Sequence, residues 1–185
     1  MTKTIKTLLV VPSILLLSVS SLAFADSGAR TYDYHIGDAF LTSLDPSFGP
    51  AVAMAPSGDK VEIVGTGTLD IHAKSVTGGG TFIHKNSSGV VVTGTWTALE
   101  LLSFHSYGSG VVQGLPATFE GGQALLRIHL SPAGGGAGFD AVLQIHCELG
   151  DKIPSGVHEG IRLNVPGIIN FNQEVSGATV YIRTS

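Results

Sequence analysis

Between Lys60 and Lys74 the chain alternates without a break. Val61, Ile63, Gly65, Gly67, Leu69, Ile71 and Ala73 take one parity, and Glu62, Val64, Thr66, Thr68, Asp70, His72 and Lys74 the other. Successive side chains of a β-strand point to opposite faces, so a run this long is compatible with a strand that buries one face and with little else. It reads as one extended strand, or as two joined by a bend at the glycines. Gly65 and Gly67 fall on the buried parity. There they permit a barrel-corner bend, a bulge, or the close approach of another backbone, and they can leave room in the interior.

A second pattern predicts a hairpin, with arms Gln123 to Leu130 and Phe139 to Leu149 around the loop 131–138. Leu126, Ile128 and Leu130 share one face of the first arm, and Phe139, Ala141, Leu143, Ile145 and Cys147 one face of the second. If those faces meet in a core, parity sends Arg127, His129, Asp140, Gln144, His146 and Glu148 to the other side. Further strands are expected at 32–36, 79–85, 90–105, 161–165 and 178–183. Asn86-Ser87-Ser88-Gly89 forms a turn and, formally, a glycosylation sequon. The run from Val90 to His105 loses phase near Thr97 to Glu100, which predicts a bulge or a short helical turn. Asp45 to Gly58 reads as an irregular surface segment, and no amphipathic helix exceeds about two turns. Short strands punctuated by Gly and Pro predict an all-β fold, with a single-domain antiparallel β-barrel preferred over a two-sheet β-sandwich.

The first 25 residues carry Lys3 and Lys6, an apolar run from Leu8 to Leu22, and Ala23-Phe24-Ala25 before Asp26. Basic start, apolar stretch and A-x-A site are the parts of a cleavable secretory signal peptide, so residues 26–185 are expected to form one all-β domain in the periplasm or outside the cell. No transmembrane helix is expected after cleavage. Removing Lys3 and Lys6 leaves 8 basic residues against 14 acidic ones, a net charge of −6. That balance argues against nucleic acid and anionic membranes as partners. The lone cysteine, Cys147, is in phase with apolar neighbours and reads as an inert buried thiol.

No sequence motif names a reaction. Five histidines (His72, His84, His105, His129 and His146) lie in strand-like segments, but without the spacing of a metal site, and no metal or cofactor is assigned. Gly78-Gly79-Gly80 and Gly134-Gly135-Gly136 read as turns, since no helix follows either one to make a phosphate loop. The segment Val76-Thr77-Gly78-Gly79-Gly80-Thr81-Phe82 resembles the glycine-rich start of a strand in dirigent and allene oxide cyclase-like barrels. Over these seven residues the resemblance implies a barrel holding a small apolar molecule, and it transfers no residue roles.

The leading functional expectation is a secreted β-barrel that binds a small hydrophobic molecule. Ile63, Leu69, Ile71, Leu126, Ile128, Leu143 and Ile145, together with Val61, would line its aliphatic interior. In its enzymatic version, with cyclase or isomerase activity, Glu100, His105 and Tyr107, with Ser103, would supply the polar groups, because they fall where the alternation fails. The alternative is a non-enzymatic cell-surface or extracellular interaction domain, associating through an edge strand or as a homo-oligomer. A carbohydrate-binding module would present exposed aromatics, for which Trp96, Tyr107 and Tyr181 are available.

Overall fold

The computed structural model describes residues 30–185; the expected signal peptide lies outside the described residues. Eleven strands form one antiparallel hydrogen-bonded sheet. In chain order they are β1 (Thr31–Ile36), β2 (Ala51–Met54), β3 (Lys60–Asp70), β4 (Ser75–Asn86), β5 (Gly89–Ser109), β6 (Phe119–Pro132), β7 (Phe139–Cys147), β8 (Gly160–Val165), β9 (Ile169–Phe171), β10 (Gln173–Ser176) and β11 (Thr179–Arg183). A short α-helix, α1 (Ala39–Leu44), follows β1, with Asp38 accepting from the Leu41 N–H at its start. The pairing is continuous, so the two-sheet alternative is not what the hydrogen bonds describe.

The pairs run from β3 through β1, β11, β6, β5 and β4 and back to β3. Two strands divide their second edge between partners. Lys60–Ile63 of β3 pair with β2 and Gly65–Asp70 with β1. On β6, Phe119 and Glu120 pair with β11, and 122–130 with β7. β10 hangs from β2, while β8 and β9 continue from β7.

The alternation that opens the sequence holds through β3: Val61, Ile63, Gly65 and Leu69 are buried. It ends earlier than the pattern suggests. Asp70 accepts from the Ala73 N–H, the chain turns over 71–74, and β4 begins at Ser75, so Ile71 sits in the turn, half-buried. Gly78-Gly79-Gly80 is likewise no turn but mid-strand in β4, opposite Gly67, Thr66 and Gly65. The glycines face each other because bulk fills the space beside them. A Cβ at Gly65 would overlap the Trp96 indole, and one at Gly67 would meet the Tyr34 hydroxyl and the β4 backbone. They serve close approach, and the expected room in the interior is occupied by Trp96 and Tyr34.

Of the expected interior residues, Ile63, Leu69, Leu126, Ile128, Leu143 and Ile145 are wholly buried in one contiguous core. They pack against side chains from other strands. The predicted hairpin is present, with Leu126 opposite Leu143 and Ile128 opposite Ala141. Phe139 departs from its expected face burial and is 45% exposed at the strand's start. The phase break in β5 is a bulge at Ala98/Glu100, followed by two more at Leu101/Ser103 and Ser106/Gly108. Asp45 to Gly58 is not wholly irregular, because it contains β2, whose Ala51 and Ala53 are fully buried.

Candidate functional site

The polar face of the β6–β7 hairpin divides into two environments. Near the loop, Arg127 Nε meets Glu100 at 3.0 Å, and His129 Nδ1 meets Asp140 at 2.8 Å, all substantially exposed. This is a solvated surface with weak ion pairs. At the other end β10 covers His146. Its Nδ1 lies 3.0 Å from Glu174, which is also ion-paired with Arg162 across 2.7 Å, and its Nε2 lies 2.7 Å from Gln144. Burial pushes the His146 pKa down, partly opposed by Glu174. The sequence reading missed this enclosure, since β10 is four residues without an apolar pattern.

Of the expected catalytic residues, His105 and Tyr107 are brought together, with ring centroids 5.8 Å apart. Glu100, Ser103 and His105 are exposed, and only Tyr107 is buried. Trp96, Tyr107 and Tyr181 are all at most 1% exposed, so they form no aromatic platform. Cys147 is buried as expected, and enclosure raises its pKa and keeps it a thiol. Among the described residues no three His, Cys, Asp or Glu side chains gather as a metal site, and no helix is long and apolar enough to cross a membrane.

A cavity of about 480 Å³ opens where β3, β4 and β5 face the ends of β6–β7 and β8–β9. Val61, His84 and Val92 form a row across three paired strands, one wall of the groove. Phe82, two residues before His84, extends that wall by the period-two rule. Leu130, Phe139, Leu163, Val165 and Phe171 come from the opposing strands, and Ile168 sits at the tip of the β8–β9 turn. Of the interior residues expected from sequence, only Val61 reaches this groove. Ile63, Leu69, Ile71, Leu126, Ile128, Leu143 and Ile145 do not line it.

His84 is the one ionisable residue lining the groove. Its Nε2 lies 2.9 Å from the Asp59 carboxylate, and its ring stands edge-on to Phe171 at 5.4 Å. A carboxylate at Nε2 favours the tautomer protonated there and leaves Nδ1 to accept a hydrogen bond. A bulge directly after His84 shifts the β4–β5 register. Of the residues that build this groove, Phe82, His84 and Val92 fell in the strands expected at 79–85 and 90–105, Leu130 and Phe139 in the arms of the predicted hairpin, and Leu163 and Val165 in the strand expected at 161–165. Asp59 and the β8–β9 turn carry no comparable signal. No family model, curated protein or solved structure matches the chain.

Proposed function

We propose that this protein is a secreted β-barrel that binds a small hydrophobic molecule, held in the apolar groove beside His84. The barrel reading is supported by the six-strand circuit of pairs that returns to β3. The binding reading rests on one observation: a groove of about 480 Å³, within the range of small-ligand sites, with apolar walls and one imidazole held by a carboxylate. Such a lining selects an apolar body with one group able to donate to His84. The end strands of the sheet order, β9 and β10, are three and four residues long, which favours this reading over association through an edge strand.

The test is native mass spectrometry of the protein from its own host, paired with titration of an apolar fluorescent probe into wild type and Ile168→Glu. Ile168 is 61% exposed at the groove's edge, so a charge there spares the core. A mass excess lost on denaturation, and roughly tenfold weaker probe binding by the variant, are the expected results. No excess together with equal probe binding would refute the reading.

A further inference from the structure

Among the described residues, two enclosed carboxylates have a cation and a third does not. Glu120 receives Arg183 Nη1 at 3.2 Å, with the Tyr32 and Ser106 hydroxyls at 3.0 and 2.9 Å. Glu174 receives Arg162 and His146. The third, Glu159, takes part in none of the ion pairs among the described residues. It lies in the wall of a second apolar groove, of about 460 Å³, bordered by Leu44, Phe48, Leu115, Phe119 and Val180. The two grooves are at opposite ends of β6–β7: Leu130 and Phe139 line the first, Phe119 and Cys147 the second. At about 3.3 Å per residue those positions are on the order of 30 Å apart.

The hydrogen bonds of Glu159 supply donors but no counter-charge. The Thr179 and Glu148 backbone N–H groups donate to its two oxygens, each at 2.6 Å. Thr179 Oγ1 is 2.8 Å from the carboxylate and 2.5 Å from the His146 carbonyl oxygen. Both the carboxylate and the carbonyl can only accept, and a hydroxyl has one proton, so Glu159 and His146 share that donor. Two backbone donors and a shared hydroxyl, all of them neutral, serve a carboxylate facing an apolar groove. Enclosure accordingly pushes the Glu159 pKa up to about 7, with the neighbouring Glu148 charge adding to the rise.

From this geometry we infer that the second groove is a binding site for a cationic amphiphile: an apolar chain or ring system bearing one amino or quaternary ammonium head, seated against Glu159. Charge complementarity selects the head. An ammonium supplies the counter-charge that Arg183 supplies to Glu120 and Arg162 to Glu174, and the surrounding Leu, Phe and Val side chains accept the apolar body. The chain's acidic balance draws a cation and repels an anion of the same shape. This site is independent of the groove beside His84.

The test is calorimetric titration, on protein purified from cells expressing the full chain, with dodecyltrimethylammonium, dodecyl sulfate and a dodecyl glycoside below their micellar concentrations. The cation should bind at least tenfold more tightly than the other two at pH 8, and should lose that preference by pH 5.5 as Glu159 protonates. Glu159→Gln should abolish the preference. Because its amide would face two backbone N–H donors, Leu44→Lys serves as the second variant. Leu44 is 55% exposed at the groove's rim, and a lysine there competes for the carboxylate without entering the core. Equal binding of the sulfate, a preference that survives at pH 5.5, or a preference retained in Leu44→Lys would overturn the inference. So would a dimer that Leu44→Lys dissolves with no amphiphile bound, since the groove would then seat a second copy.

Discussion

The two grooves at the ends of the β6–β7 hairpin have similar volumes and similar apolar walls, and differ in the acid–base residue set into each, His84 in one and Glu159 in the other. In the first, His84 is held by Asp59, so the charge partner is already supplied by the protein. In the second, Glu159 has backbone donors and no cation. An apolar wall alone selects little beyond size. The residue set into it decides what chemistry a ligand must bring, and a polar group already satisfied asks for less than one that is not.

The contrast requires two separate grooves, so the strongest way to break it is to open the packed interior between them. Trp96 is 1% exposed, fills the space beside Gly65 and donates to the Val64 carbonyl at 3.1 Å. Trp96→Ala should cost about 3–5 kcal/mol in denaturant unfolding, with the removed indole leaving both a void and an unsatisfied carbonyl. A loss under about 1 kcal/mol would mean that the interior is not packed as described.

A smaller effect sharpens the contrast through pH. Glu159 has a folded pKa of about 7 against 4.5 as its ordinary value, so the folded state holds a proton that the unfolded state releases between those values. Its ionisation therefore opposes folding above pH 7, and that cost disappears as the pH falls toward 4.5. His146 acts with the opposite sign. Burial keeps it neutral in the folded state, so acidification below its ordinary value of 6.5 costs stability. Between pH 8 and 5, Glu159→Gln should become progressively less stable relative to wild type, by up to about 3 kcal/mol at 1.36 kcal/mol per pKa unit. Denaturant midpoints across this range would show it, and a constant difference would contradict it.

The smallest effect belongs to the satisfied groove. Asp59→Ala frees the His84 ring and should cost on the order of 1 kcal/mol, while weakening any ligand that donates to Nδ1. Probe affinity at the Glu159 end should be unchanged. A parallel loss at both ends would mean that the two grooves are coupled.

Much of the strand architecture was legible because it rests on period two, which a sequence displays directly. β3, the β6–β7 hairpin and the broken phase of β5 each follow from which parity is apolar. Short strands carry too few alternations to show, so β2, β9 and β10 escaped, and with them the cover over His146 and one wall of the first groove. Parity also says nothing of what lies across the core. It placed Gly65 inward correctly, but could not tell an open space from a position reserved for the Trp96 ring.

Alternation and glycine spacing thus determined by themselves that this chain folds as antiparallel strands with aliphatic side chains inside. Tertiary structure alone decided where polar groups meet apolar space. His84 is joined to Asp59 across 25 residues, and Thr179 to Glu159 across 20. Those separations are closed by strand pairing, and the environment of a charge depends on what pairing brings near it rather than on its neighbours along the chain.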